Sequence, residues 1–550
     1  MVNFMLKNKL LLAALIVGAL LRLWHLNSNP PHLNSDEAAL GYNAYSILTT
    51  ARDEHGSFLP VIFKSFGDWK PGLYVYLTVP FVAIMGLNEW AVRLPSAISG
   101  ILAIWLLYLV VLKLFKDKNM ASISALVLAL TPWHIHFSRG AWEANVALTL
   151  ILAGIYYFLE FVEGKRNKLI FSVLFFALTF WTYQGAKLST ALVVLSLIAC
   201  NLKVVLKNKE HVAKAAVFGL IITLPIFLSF FQGKAGRLEV FSVFSYVRPK
   251  AAIEEILRQD KNGNLGIEFY LYHTEPLSFV RGILGRWLNH YSADFLFFKG
   301  DENPRHHATD TGMLLLVQAP LLALGFLGLF KSKRTGVAFI LLWLILAPLP
   351  ASLSRDSSHA VRSYQLVIPI SVLAAFGVLQ LAELIKKSKL KHTILCALTF
   401  GLAGNYLYYL DQYHVHYPVH DSGAWAYGYK EAVQVVTRSE DEFDNIIFQP
   451  SYNQPYIFFL FHQKYDPKRF QDVAKTSFEA SLYGDVGKTA KLGKIQFRDA
   501  TEGDIQKPKT MIVYDPETPP FPAIFDLKDA QAQDIKRLNG TTAFRVLKIQ

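Results

Sequence analysis

Asp36 and Glu37 are adjacent carboxylates that follow Asn34-Ser35 and stand about ten residues past the first long apolar run. A carboxylate within hydrogen-bond reach of an acceptor hydroxyl can take its proton as a displacement proceeds. One such base suffices for an inverting transfer when the leaving group is a phosphate, which departs as an anion. Glycoside hydrolysis differs, because a second carboxyl must act there as acid. A lipid phosphate at a membrane surface needs cations beside it. Lys70, Arg93, Arg139, Arg355 and Arg362 all lie within a few residues of the end of an apolar run. Arginine forks match phosphate oxygens in pairs, and lysine supplies a point charge. Pro71 restricts the backbone that carries Lys70. Plainer readings stand beside these. Ser35 can cap the helix that follows, whose dipole the two acids complement, and a lone interfacial cation is often a snorkelling one.

The elements that must position these residues are membrane helices. Of 550 residues 53% are hydrophobic and only 18% are charged, which excludes a disordered or fibrous chain and sets it apart from ordinary soluble enzymes. Eleven apolar runs are spaced as candidate spans, near 10–26, 91–112, 120–137, 144–162, 169–183, 188–206, 215–232, 312–330, 336–351, 361–385 and 393–410. Alternate gaps are short and basic: Lys113, Lys116 and Lys118; Lys165, Arg166 and Lys168; Lys207 and Lys209; Lys331, Lys333 and Arg334; Lys386, Lys387, Lys389 and Lys391. With Lys7 and Lys9 they fall on one side, which the positive-inside rule makes cytoplasmic. The expected topology of a cell-membrane protein follows, with the N-terminus inside and the C-terminus outside. It accounts for the net charge of +13 without nucleic acid. The first run lacks a small-residue cleavage site and reads as a retained anchor. Cys200 and Cys396, each inside an apolar run, read as small buried side chains.

Two domains are expected. Residues 1–410 form the membrane domain with external loops at 27–90 and 233–311, and within the first loop Val75–Gly86 suits an interfacial helix. Residues 411–550 lose the long apolar runs and read as a small external α/β domain. Its strands are Asn445–Pro450, Thr510–Asp515 and Ala543–Ile549, with a helix near Trp425–Ser439. Two further outer loops carry polar groups. Glu143, in Ser138-Arg139-Gly140-Ala141-Trp142-Glu143, either orients a sugar or an ion or pairs with Arg139. His306-His307 resemble a metal pair, but neighbours on a helix point apart, so a surface or lipid-phosphate contact is the preferred reading. Trp69, Tyr74 and Trp142 are candidates for stacking on a sugar. No nucleotide-binding fingerprint or nucleophile elbow occurs, which agrees with a lipid-linked donor.

The strings Asp36-Glu37, Trp69-Lys70-Pro71-Gly72-Leu73-Tyr74 and Glu89-Trp90-Ala91-Val92-Arg93-Leu94-Pro95-Ser96-Ala97 resemble the GT-C membrane glycosyltransferases. Within that superfamily the resemblance is to the protein O-mannosyltransferase and aminoarabinose-transferase group. It is strongest over residues 10–190. It implies an α-helical polytopic fold of about eleven membrane helices and a polyprenyl-phosphate sugar donor. It also implies a lipid, glycan or protein acceptor, and action on the external face. By that likeness Asp36 stands at the catalytic acidic position, with Glu37 beside it, and Lys70 at the lysine that contacts the lipid phosphate. Arg93, Arg139, Glu143, Arg355 and Arg362 are the further candidates for binding phosphate or sugar, Arg362 being the second choice for the phosphate. The aminoarabinose transferases place a metal-holding glutamate before that lysine and a second proline after it. Trp69 and Gly72 occupy those places here, so a divalent metal is possible as cofactor but is not carried over. The competing classes are a multipass lipid flippase or transporter, which would put its charges in mid-membrane, and a non-catalytic envelope scaffold.

Overall fold

The apolar runs fold as helices. The computed structural model describes residues 8–66, 68–234, 242–245, 247–259, 266–267, 269–331, 336–387, 389, 391–450, 454–476, 478–479, 488–521 and 530–550. Lys7, Gly67, Lys333 and Arg334 lie outside the described residues. The first elements are α1 (Lys9–Leu23), α2 (Ser35–Thr50), the hairpin β1 (Ile62–Ser65) and β2 (Asp68–Pro71), and α3 (Leu73–Met85). Then come α4 (Glu89–Phe115), α5 (Lys118–Leu130), α6 (Pro132–Arg139) and α7 (Glu143–Val162). Among the described residues, five helices are long and apolar enough to cross a membrane: α4, α7, Lys209–Phe231, Tyr364–Lys386 and Lys391–His420. A sixth span forms if α5 and α6, bent by 59°, count as one. The bend falls at Thr131-Pro132, where proline opens the second helix and disfavours helical backbone before it. The expected count of eleven is thus not reached by length. The other apolar helices, such as Lys168–Phe180 and Ala186–Cys200, have 10–17 residues, short of the roughly 20 that a spanning helix needs.

Charge separates along the bundle. Helix α4 carries Arg93 near one end and Lys113 near the other. Lys113 and Lys116 pair with Glu160 and Glu163 at the end of α7, and Lys165 reaches Glu160 at 2.6 Å. Asn8 bonds Ser122 at 2.9 Å, so the chain start joins the same end. The opposite end holds Asp36, Lys70, Arg93, Arg139 and Glu143. Small residues allow the closest helix crossing: a Cβ on Gly325 would lie 1.9 Å from the Leu373 carbonyl oxygen, and one on Gly377 1.9 Å from that of Leu321. Neither cysteine is fully buried, contrary to expectation. Cys200 is half-buried and Cys396 exposed, because the helix Lys391–Asp411 turns most of its surface outward.

After residue 420 the architecture changes to a six-stranded mixed sheet. Its order is Lys491–Leu492, Ile495–Phe497, Asn445–Phe448, Thr510–Tyr514, Thr542–Ile549 and Ala530–Lys536. Asn445–Phe448 pairs parallel with both neighbours, and the remaining pairings are antiparallel. Helices Tyr429–Ser439, Pro455–His462 and Pro467–Thr476 accompany it, close to the expected strands and helix. The sheet has a small cluster of its own, with Ile447, Ile512, Tyr514 and Leu547, but its larger core is shared with the helices before it. Phe448, Phe459, Phe461 and Phe544 pack in one cluster with Ala38, Tyr42, Phe63 and Val92. Gly41 is the pinch point, since a Cβ there would lie 2.6 Å from Val92 and 2.7 Å from Phe461. Tyr42 donates to the Tyr465 carbonyl at 3.1 Å, and Gln471 reaches Ser46, Thr50 and the Asp53 carbonyl. Helix α2 is therefore clamped between α4 and the C-terminal unit.

Overpacking a close helix crossing costs about 1–3 kcal/mol or more. Gly325→Leu should lower the thermal midpoint of the purified protein in detergent, whereas Gly404→Leu, where nothing lies within 4 Å, should not. Equal midpoints for the two variants would contradict the packing described.

Candidate active site

The site is built from the first turn of α2. Asn34, not Ser35, is the cap: its side-chain oxygen accepts from the Glu37 N–H at 3.0 Å, and Glu37 Oε2 accepts from the Asn34 N–H at 3.2 Å. This reciprocal box satisfies two donors that a helix start leaves open. Glu37 is 2% exposed and takes the Arg93 fork, with Nε to Oε1 and Nη2 to Oε2 both at 3.1 Å. The Ala141 N–H adds a fourth bond to the carboxylate at 2.8 Å. Arg93, fully buried, also donates to the carbonyls of Leu26, Pro30 and His32. A guanidinium has five N–H groups, and all five are used. Two expectations are thereby corrected. Glu37 is an anchoring residue and not a base, and Arg93 has no donor left for a phosphate.

Arg139 is corrected too, because its Nη1 and Nη2 groups are held by the backbone. It is buried, donates to the carbonyls of Leu21, His25 and Asn29, and stacks 5.4 Å from the Tyr413 ring. These contacts, rather than a pair with Glu143, hold it. Tyr74 and Trp142 are also built in: Tyr74 is buried and donates to the Val92 carbonyl, and Trp142 packs against Phe137 and Trp425.

Asp36 is the next residue on the helix and faces the other way. Its side chain is 51% exposed and forms an ion pair with Lys70. Lys70 is delivered by the β1–β2 hairpin, where it stands opposite Phe63. The hairpin is pinned in turn by Gln184, which donates to the Trp69 carbonyl at 3.1 Å, and by the Leu73 N–H on the Trp181 carbonyl at 2.8 Å. Burial alone would lower the Lys70 ammonium, but Asp36 and Glu143 outweigh it and hold the group above its ordinary value. Glu143 opens α7, and its Oε1 is buried with no hydrogen-bond partner among the described residues. The pocket that Asp36, Asn43, Ser65, Lys70 and Val75 line holds only about 10 Å³, so the ion pair closes it. Beyond Glu143 lies Tyr183, which feels both Glu143 and Arg362. Arg362 lines a small cavity with Tyr183 and Tyr364 and pairs with Asp356 at 2.5 Å. Arg355 sits apart, half exposed, in a groove of about 670 Å³ with Arg248 and Arg286. Of the expected residues, Asp36, Lys70 and Glu143 are brought together and Arg362 stands one residue behind them.

Glu54 went unread in the sequence. It is fully buried beneath the pocket, accepts from Ser65 Oγ at 2.8 Å, and its N–H donates to Asn43 Oδ1 at 3.0 Å. Burial pushes its carboxyl up to about 8. The only sequence signal was the run Asp53-Glu54-His55 in a segment that has to sit against the membrane domain. Trp69 offers no ligand atom where the resembled family has a metal-holding glutamate; Lys64 and Lys234 lie over its ring at 6.0 and 5.0 Å. His306 and His307 do not act as a pair. His307 faces the carbonyls of Ala308 and Asp301, and His306 turns to the Asp301 carboxylate at 2.6 Å.

Two outcomes are expected. Glu37→Ala leaves the Arg93 charge buried and unpaired, a loss of about 3–5 kcal/mol, and should prevent recovery of folded protein, whereas Asp36→Ala should not; normal recovery of Glu37→Ala would contradict the anchoring role. Glu54 keeps its proton in the folded chain up to about pH 8 but loses it near 4.3 when unfolded. Its contribution is complete below that lower value and declines as pH rises towards 8. Glu54→Gln should flatten this part of the pH–stability curve, and an unchanged slope would contradict the assignment.

Residues 70–228 match the family described as dolichyl-phosphate-mannose-protein mannosyltransferase, a stretch that includes Lys70 and Glu143 but not Asp36 or Arg362. YycA, a candidate mannosyltransferase of Bacillus subtilis (strain 168), is 30% identical over 154 residues, which are 27% of this chain and 22% of the relative. The chain thus matches under a quarter of that protein's length. Two crystal structures of ArnT from Cupriavidus metallidurans share the fold. The apo form has a TM-score of 0.55 and 13% identity, covering 100% of this chain and 98% of its own. The form bound to undecaprenyl phosphate has a TM-score of 0.56 and 12% identity, covering 98% and 97%. At such identities the likeness is one of fold, and it extends over nearly the whole length. The chain thus shares the fold of the two ArnT structures over nearly its whole length, and its residues 70–228 are similar to the dolichyl-phosphate-mannose-protein mannosyltransferase family.

Proposed function

We propose that the chain transfers a sugar, with inversion, from a polyprenyl-phosphate donor to an acceptor hydroxyl on the external face of the cell membrane. The observation that carries this reading is the pairing of a half-exposed Asp36 with Lys70, beside the unpartnered oxygen of Glu143. Asp36 accepts the proton of the acceptor hydroxyl, whose oxygen bonds to the anomeric carbon. The bond from that carbon to the phosphate oxygen breaks, and its electron pair leaves with the phosphate. Lys70 turns from Asp36 to the phosphate, so the donor itself opens the closed pocket and frees the base. Lys70 supplies charge where charge develops, which in a sheltered site is worth more than in water. Glu143 orients a sugar hydroxyl with its free oxygen, and Arg362 serves as the second cation. The match to a mannosyltransferase family and the undecaprenyl phosphate carried by the ArnT structure support a lipid-linked donor. The position of the site opposite the lysine-rich end of the bundle supports the external face. The membrane domain of residues 1–410 contributes the site, and the domain of residues 411–550 braces it from outside.

Removing a general base costs about 10²–10⁴-fold in rate. In a strain lacking the gene, mass spectrometry should show a lipid-linked sugar that accumulates and that the wild-type chain clears. Asp36→Asn should fold and bind undecaprenyl phosphate normally yet leave that lipid uncleared. Lys70→Ala should weaken binding of undecaprenyl phosphate to the purified protein. Clearance by Asp36→Asn, or unchanged lipid affinity in Lys70→Ala, would overturn the respective role.

A further inference from the structure

Asp301, His306 and His359 meet outside the Asp36 site. Each offers one ligand atom, and the three atoms lie within 4.8 Å of one another. They come from two separate outer segments, the loop after the Asp294–Phe298 turn and the turn that leads into Arg362. We infer that they form a binding site for one divalent cation of zinc type. Two imidazoles and a carboxylate are the donor set of a borderline ion, and a fourth position is left to water.

The surroundings are arranged as such a site needs. Asp301 is 6% and His306 4% exposed, so the donors are not ordinary surface groups. Asp301 Oδ1 accepts from the Asn303 N–H at 2.9 Å, and Oδ2 accepts from the Ala360 N–H at 2.6 Å; the carboxylate is thereby fixed in direction by both segments. The His359 ring is set by the Arg362 N–H at 3.4 Å from its Nδ1. His290 takes the outer-shell place: its Nε2 accepts from the His359 N–H at 3.1 Å, and its Nδ1 faces the Arg286 carbonyl at 2.7 Å. Outer partners of this kind orient ligands and are part of a metal site's affinity. An access route exists, because Asp301 also lines an open cavity of about 610 Å³ with Lys299, Glu302, Ser357 and Ser358. The contact of 2.6 Å between His306 Nδ1 and Asp301 Oδ2 is a hydrogen bond, too short for two donors on one ion. Metal entry replaces it, with any proton held there released.

The ion ties Asp301 to a strand of chain 59 residues away and fixes the turn on which Asp356 and Arg362 sit. This inference does not depend on the transfer reaction, since its readout is metal content. The test uses the full-length protein in detergent, stripped with a chelator, exposed to Zn²⁺ against a competing chromophoric chelator, and analysed for bound zinc. Wild type should hold about one Zn²⁺ per chain, and its thermal midpoint should rise on addition of Zn²⁺. His306→Ala and His359→Gln should each lose zinc affinity by at least about tenfold and lose that rise. The double variant His416→Ala/His420→Ala, which removes an exposed histidine pair near Asp411, should match wild type. Should His306→Ala fail to fold, the His359→Gln variant decides, because its ring lies at the edge of the cluster. The proposal is overturned if wild type takes up no zinc, if both single variants retain it, or if only the surface double variant loses it.

Discussion

The Glu37–Arg93 pair is the constraint on which the rest depends. A buried guanidinium is costly unless every donor is met, and Arg93 meets all five with one carboxylate and three carbonyls of the segment 26–32. That segment is irregular, so its carbonyls have no helix or sheet to pair with. Arg139 does the same for Leu21, His25 and Asn29. Two buried arginines therefore nail down a stretch with no secondary structure and set where α2 begins. Because Glu37 is locked, Asp36 one residue earlier points out of the packed core and towards Lys70. The proposed base is placed by its neighbour's ion pair.

The same logic explains why α2 is clamped from its far side. Its first turn is set by Arg93, but a helix of 16 residues needs a second support to hold direction. The C-terminal unit supplies it through Phe461 against Gly41, Gln471 on Ser46 and Thr50, and Lys430 on Glu89 at 2.7 Å. The sheet thus acts on the site through packing, without contributing a residue to the pocket.

Much of this was legible in the sequence. Apolar period and lysine spacing located the helices and their common end. Short apolar, strand-like pieces at 445–450, 510–515 and 543–549 located three strands to within one or two residues. The Asp36 and Lys70 strings pointed to each other before any contact was known. What could not be read was which arginines are taken up by the backbone. Arg93, Arg139 and Arg362 look alike in sequence, each near a helix end, yet two are consumed by backbone carbonyls. Only the path of residues 21–32 decides that, and an irregular path leaves no period. Likewise Ser35 and Asn34 are equally good caps by type; the box with Glu37 selected Asn34. Glu54 was hidden because its partners, Asn43 on α2 and Ser65 on β1, are brought to it only by the fold. The count of eleven spans is not confirmed, because apolar content marks helices without making each one long enough to cross alone.

The proposed transfer requires Lys70 to exchange Asp36 for a lipid phosphate. An electron cryomicroscopy structure of the full chain in lipid nanodiscs with undecaprenyl phosphate tests this directly. The phosphate should lie within hydrogen-bond distance of Lys70 Nζ, about 3 Å, with the Asp36 carboxylate released towards solvent. A phosphate bound elsewhere while the Asp36–Lys70 pair stays closed would contradict it.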